Sequence, residues 1–263
     1  MRVFALSDPH LALGTPGKEM DRFGPQWVGH AAKMAAAWDA SVRADDLVLV
    51  PGDISWARDL AQARPDLEWL AARPGTKVIG KGNHEHWWPD SRRKLAAALP
   101  PGVHPLHAEA LRFGEVAVCG TRLWDVPGQS WHDVIAWEGE PISREQTEAD
   151  AAAALLVYQR ELGRLDRALA ALDRSARVRI AMLHYPPVAP AEAGPGSAGA
   201  LPLRGNELTE RFERASVQEV VFGHVHALKP EARARIGGTL NGVTYRLAAV
   251  DFIGFAPLLV AEG

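Results

Sequence analysis

The chain is short of several things, and each shortage excludes a class of protein. Cys119 is the one cysteine among 263 residues, so no intrachain disulfide can form and nothing points to an oxidising compartment. No apolar run approaches the roughly 20 residues that a membrane-spanning helix needs. The opening run, residues 1–7, is too short for a signal-peptide core, and polar residues of functional type follow it at once. A cytoplasmic protein without membrane insertion is the expectation. Charge of one sign is not in surplus either: 29 Lys and Arg face 32 Asp and Glu, a formal net charge of −3. That balance disfavours a nucleic-acid sheath or a basic membrane surface, although a local basic patch stays open. Long polar tracts and internal repeats are missing, and 47% of the residues are hydrophobic, enough to bury a full core. One domain spanning residues 1–263 is expected.

Short apolar runs alternate with turns and helical patterns, the signature of an α/β layered fold. The runs predict strands at 2–7, 47–50, 77–79, 116–119, 178–183, 219–222, 245–250 and 257–260. Helical periodicity falls at 26–42, 60–72, 91–99 and 144–172. The last helix carries its own start signal, Ser143 with Gln146 three residues on, which matches a capping box. Two segments read as long loops, 123–141 and 186–205, the second with five prolines and four glycines. Loops this long tend to be functional or disordered, and the second directly follows His184, so it is expected to border a substrate pocket.

Polar residues of one chemical character recur where these strands end. Asp8-Pro9-His10 follows the first strand, Gly52-Asp53 the second, and Gly82-Asn83-His84-Glu85 the third, while His184 and then Gly223-His224-Val225-His226 close two later ones. An open α/β sheet places its ligand crevice at the carboxyl ends of its strands, so one crevice can hold them all. Taken singly, each has a plain structural reading: Asp8 or Asp53 as a capping or turn aspartate, His10 or His184 as a hydrogen-bonded core histidine. Taken together, five of the ten histidines, two aspartates and an asparagine in one ordered series make coincidence a poor account. Imidazole and carboxylate donors suit manganese, iron, zinc or cobalt better than magnesium or calcium. Two such dications sharing a hydroxide leave a net positive hole for a phosphate anion, which is the chemistry of phosphoester hydrolysis.

The ordered set D-x-H, G-D, G-N-H-E, H and G-H-x-H, from Asp8 to His226, resembles the calcineurin-like metallophosphoesterase family. The strings from Gly52 to Trp56 and from Lys81 to Trp88 are further similar to a bacterial subgroup described as predicted phosphohydrolases. The resemblance implies a sandwich of two mixed sheets flanked by helices. It implies that Asp8, His10, Asp53 and His226 hold one metal, and that Asp53 bridges to a second held by Asn83, His184 and His224. It also implies His84 as the acid that protonates the leaving group, oriented by Glu85. The cofactor expected is a pair of divalent transition-metal ions, manganese first, with iron, zinc, cobalt or nickel as alternatives. The expected reaction is hydrolysis of a phosphomonoester or phosphodiester. Two departures matter. Protein phosphatases of this superfamily carry an arginine four residues after the bridging aspartate, whereas here Ala57 stands there and Arg58 follows. His10 stands where purple acid phosphatases have an aspartate. A small phosphate ester is therefore favoured over a phosphoprotein, and nucleic acid is the less favoured substrate because of the near-neutral charge. A non-catalytic scaffold is the alternative class, but such scaffolds usually lose a ligand or the histidine corresponding to His84. No obligate protein partner is expected. Around the motifs, Trp56, Trp87 and Trp88 suggest a stacking wall, with core packing expected for at least two of them. His86 and His132 are expected to be solvent-exposed or structural, and Arg58 and Lys81 to be solvated more readily than phosphate-bound.

Overall fold

The computed structural model describes residues 1–136, 148–193 and 202–263. Strand β1 (Arg2–Ala5) leads through two short 3₁₀ turns to helix α1 (His30–Ser41), followed by β2 (Leu47–Val50), α2 (Leu60–Ala71), β3 (Thr76–Ile79), α3 (Arg92–Ala98) and β4 (Val103–Pro105). The second half runs β5 (Glu109–Phe113), β6 (Val116–Thr121), α4 (Glu148–Ala170), β7 (Val178–Leu183), α5 (Glu207–Arg214), β8 (Glu219–Phe222), β9 (Gly238–Leu240), β10 (Val243–Leu247) and β11 (Leu258–Glu262).

Two mixed sheets result, ordered β11-β1-β2-β3-β4 and β5-β6-β7-β8-β10-β9. In the first, β1 to β4 are parallel and β11 is antiparallel to β1. In the second, β6, β7, β8 and β10 are parallel, and the edge strands β5 and β9 are antiparallel. The central strands read as unbroken apolar runs because both of their faces are buried. Their alternation still sorts side chains by layer. Val3, Ala5, Leu47 and Leu49 meet Val118, Ile180, Met182 and Val221 between the sheets. Phe4, Val48 and Val50 turn outward onto Met34 and Trp38 of α1 and Leu67 and Leu70 of α2. On the opposite outer face, Ala117, Cys119 and Phe222 pack with Tyr158, Leu165 and Leu169 of α4 and Phe212 of α5. No helix among the described residues is long and apolar enough to cross a membrane.

All eight predicted strands exist, with shifted ends. The run predicted at 245–250 pairs only as far as Leu247, because the chain then leaves β10 to meet the end of β1. Ser7 N donates to Ala248 O at 2.7 Å and Val250 N donates to Ser7 O at 3.0 Å, which stitches the carboxyl ends of the two sheets together. Three strands go unpredicted, β4, β5 and β9, and all lie at sheet edges. Edge strands bury one side at most, so the apolar signal is thin, and Pro105 and Gly238 weaken it further. Helix α5 is also unpredicted; Asn206 caps it by accepting from Leu208 N at 2.9 Å and Thr209 N at 3.0 Å. Ser91, predicted as the first helical residue, instead caps α3, its hydroxyl accepting from Lys94 N at 3.3 Å. The capping box at Ser143 and Gln146, and the centre of the 186–205 loop, lie outside the described residues.

Candidate metal centre

Every predicted site residue except Glu85 lies at the carboxyl end of a strand with its side chain at one crevice. Asp8 and His10 follow β1, Asp53 follows β2, Asn83 and His84 follow β3, His184 follows β7, and His224 and His226 follow β8. The chain bends sharply there. Asp8, His10, Asp53 and His224 have φ of 59°, 43°, 51° and 72°, a left-handed backbone that costs a residue with a side chain about 1–3 kcal/mol and persists only where surroundings enforce it. The enforcing contacts are visible. Asp8 N donates to Gly52 O and His10 N to Asp53 O, both at 3.0 Å. His224 N donates to the Asp8 carboxylate at 3.0 Å, and His84 N donates to Asp53 Oδ1 at 2.9 Å. Gly223 leaves room for this: a methyl there would lie 2.1 Å from Asp8 Oδ2.

The donors fall into two groups. One atom each from Asp8, His10 and His226 lies within 4.8 Å of the others, and the same holds for Asp53, His184 and His224. Asn83 Oδ1 joins the second group, 2.7 Å from His184 Nε2 and 2.9 Å from His224 Nδ1. Asp53 Oδ2 faces both groups, 3.8 Å from His10 Nε2 and 3.6 Å from His184 Nε2.

Electrostatics favours cations here. Burial holds His184 down to about 3 and His224 down to about 4, and it lowers His10 strongly. These imidazoles are neutral at physiological pH and offer lone pairs. Burial, reinforced by Glu85 and Asp8, pushes the Asp53 carboxyl well above its usual range; a dication reverses that cost. His10 Nε2 and His226 Nε2 stand 3.2 Å apart, where facing lone pairs repel unless a proton or a cation lies between them. Neutral imidazoles, carboxylates and an amide oxygen are the donor set of a borderline transition-metal dication, and the residues fit a pair of them.

His84 stands beside the donors rather than among them. Its Nε2 is 3.9 Å from Asp53 Oδ2 and its side chain is 34% exposed. Glu85 is expected to orient it, but among the described residues the Glu85 carboxylate is bonded to backbone amides and not to the His84 ring. The Glu85 carboxylate is buried and accepts from Gly82 N at 2.5 Å, Ile54 N at 2.6 Å and Asp53 N at 2.8 Å. It clamps the loops after β2 and β3 together, and adjacency in sequence to His84 says nothing of that. Burial pushes it up to about 7 despite those donors.

Three features of the site go unread in the sequence. Asp251 Oδ1 is 2.8 Å from His226 Nδ1, and Asp251 Oδ2 accepts from Ala227 N at 2.8 Å; burial opposes protonation of His226, but its bonds to Asp251 and Asp8 outweigh it and raise that imidazole to about 10, so a dication binding at Nε2 would have to displace a proton there and leave the Nδ1 proton on Asp251. The strand-end rule that finds His184 also covers Asp251, one residue past the predicted strand. Trp27, from a Pro-Gln-Trp stretch without a signal of its own, sets its ring 5.8 Å from His226. A cavity of about 730 Å³ opens over the donors and continues between Met20, Phe23, Trp27 and Trp56. Trp56 stacks on His10 with centroids 4.8 Å apart, while Trp87 and Trp88 are core residues. His86, His132 and Arg58 are exposed and Lys81 is half-buried, and none lines the cavity.

A family model described as calcineurin-like phosphoesterase matches residues 1–228. The gene 66 proteins of Mycobacterium phages D29 and L5 are 36% identical over 83 residues and 41% identical over 71 residues. Those spans cover 32% and 26% of this chain and only 40% and 34% of the phage proteins. Among solved structures, the phosphopantetheinyl hydrolase of Mycobacterium tuberculosis superposes with a TM-score of 0.52 at 18% identity, covering 95% of this chain and 89% of that one. At that identity the likeness is one of fold.

Proposed function

The chain belongs to the calcineurin-like phosphoesterase family of metal-dependent phosphoester hydrolases, and from that premise we propose that it hydrolyses a small phosphomonoester or phosphodiester with two divalent cations, manganese foremost. Asp8, His10 and His226 would hold one cation, Asn83, His184 and His224 the other, and Asp53 both. The observation that carries this reading is the Asp53 carboxylate facing both donor groups at 3.6–3.8 Å. Bound there, the cations supply Lewis-acid stabilisation of the phosphoryl oxygens and an acidified water. The chain supplies the rest. His84, partly exposed at the cavity and outside both donor groups, gives a proton to the departing oxygen. Asp251 fixes the tautomer of His226, as outer partners of metal-bound imidazoles do. Glu85 fixes the loop backbone from which Asp53 and Asn83 project. A cavity of about 730 Å³ suits a small organic ligand.

The test separates His84 from His224. His84→Asn should lower turnover by about 10²- to 10⁴-fold with both metals retained, and by less for p-nitrophenyl phosphate, whose leaving group needs little protonation. His224→Asn should weaken metal binding, with part of the activity restored by excess manganese. Metal rescue of His84→Asn, with equal losses for good and poor leaving groups, would refute the assignment. Saturation at one ion per chain would refute the dinuclear centre.

A further inference from the structure

The cavity over the donors is much larger than a phosphate group requires, and its extra volume has a definite chemistry. Beyond the metal-facing residues it is walled by Met20, Phe23, Trp27 and Trp56, with Arg22 at the rim. A second hollow of about 180 Å³, lined by Lys18, Arg22, Phe23 and Trp56, continues it past Trp56. Three residues are common to both, so the two form one path leading away from the metal donors. Phe23 is 41% exposed, unusual for a large apolar side chain beside a polar site. Trp56 is held in place, its Nε1 donating to Met20 Sδ at 3.3 Å.

Two cations sit at the far end. Lys18 Nζ donates to Trp56 O at 3.0 Å, and the Arg22 guanidinium lies 5.1 Å from the Phe23 ring centre. Among the described residues neither forms an ion pair with a carboxylate. Lys and Arg on loops are commonly just solvated, but here both border the same hollow and their charge is left unneutralised.

Direction along the path follows from His84. On the proposed function, which this inference rests on, His84 protonates the leaving oxygen, so the leaving alcohol departs on the His84 side. Trp56 is on that side, with ring centroids 4.3 Å apart, and Phe23, Arg22 and Lys18 lie beyond it. We propose that residues 18–27 together with Trp56 form a leaving-group subsite for a phosphate ester whose alcohol carries a planar ring and a second anionic group. The ring packs against Trp56 and Phe23, a contact that tolerates many ring types. The anion is taken by Arg22 and Lys18.

The test uses the manganese-loaded enzyme and compares kcat/KM for p-nitrophenyl phosphate, adenosine 5′-monophosphate, adenosine 3′-monophosphate and adenosine 3′,5′-bisphosphate. The bisphosphate should exceed both monophosphates by about tenfold, the worth of one charge-assisted contact. Arg22→Ala and Lys18→Ala should each erase most of that advantage while lowering p-nitrophenyl phosphate hydrolysis by a clearly smaller factor, and Arg22→Lys should restore part of it. Phe23→Ala should weaken the nucleotides and spare glycerol phosphate. Equal values for the bisphosphate and the monophosphates, or variants that lower all substrates alike, would overturn the subsite. Wild-type enzyme that hydrolyses none of these esters with manganese would instead overturn the proposed function, so the two failures are distinguishable.

Discussion

Gly82→Ala adds one methyl group to a loop where nothing else changes, because Gly82 is not among the residues with positive φ. The new Cβ would lie 2.2 Å from Asp53 Oδ1, 2.6 Å from Asp53 N and 2.8 Å from Glu85 Oε2. Ordinary van der Waals contact with carbon begins near 3.5 Å, so clearance demands a displacement on the order of 1 Å. The backbone cannot supply it cheaply: Glu85 Oε2 accepts from both Gly82 N at 2.5 Å and Asp53 N at 2.8 Å, which locks the two loops together. Because one of the clashes is with Asp53 N, the Asp53 backbone and side chain must shift together, and that removes the carboxylate from between the two donor groups. A misplacement of about 1 Å costs roughly 10²-fold in rate, and overpacking costs about 1–3 kcal/mol in stability. The assay combines kcat/KM on p-nitrophenyl phosphate with manganese, metal content per chain, and the urea midpoint. Activity should fall by about that factor, with metal content falling alongside. Gly163→Ala in α4 is the control: its methyl meets nothing within 4 Å, so stability should rise by about 0.5–1 kcal/mol with activity unchanged. Gly82→Ala protein that keeps both its activity and its metals would refute the placement of Asp53 as the shared ligand.

Asp251→Asn should weaken metal binding by about 10- to 100-fold, the usual effect of losing an imidazole's outer partner; a titration with manganese that matches wild type would remove Asp251 from the site. Asp46→Asn should cost about 1–3 kcal/mol at neutral pH, because buried Asp46 accepts from Arg2 N at 2.8 Å, Arg2 Nη2 at 2.5 Å and Arg43 N at 2.9 Å. Burial tends to raise the Asp46 carboxyl, but these bonds outweigh it and lower the pKa. Its stabilisation is therefore present above the ordinary carboxylate range and lost as pH falls through the folded value. Melting temperatures of variant and wild type should converge in acid, and a gap independent of pH would contradict the ion pair.

What was legible in the sequence was whatever chemistry repeats. Aspartate, asparagine and histidine appear at successive strand ends, and an open sheet gathers such ends in one place, so the residues that share the crevice could be named without coordinates. Edge strands such as β9 were not legible, because their residues answer to one neighbour and to solvent rather than to a core. Glu85 was misread for a different reason. Its side chain turns inward to three backbone amides, and hydrogen bonds to backbone leave no trace in residue identity at the partner positions. Asp251 was within reach of the strand-end rule, one residue past the predicted strand, but it stands outside the ordered motifs that single out the other site residues.

The stitching of the two sheets also completes the two donor groups. Asp8 and His10 come from the first sheet and His226 from the second; Asp53 and Asn83 come from the first, His184 and His224 from the second. Neither sheet holds a complete donor group. The group exists only when the sandwich is closed, and the bonds that close it at this end are those between Ser7 and Ala248 and between Asp8 and His224 N. Cations that bind the closed arrangement and not the open chain must therefore stabilise the whole fold, by about 2.7 kcal/mol when free metal is a hundred times its dissociation constant. Chelation should lower the melting temperature, because it removes that contribution. His224→Asn protein should show a smaller chelator-induced drop than wild type. An equal drop in both would mean that the cations stabilise the protein from somewhere other than this seam between the sheets.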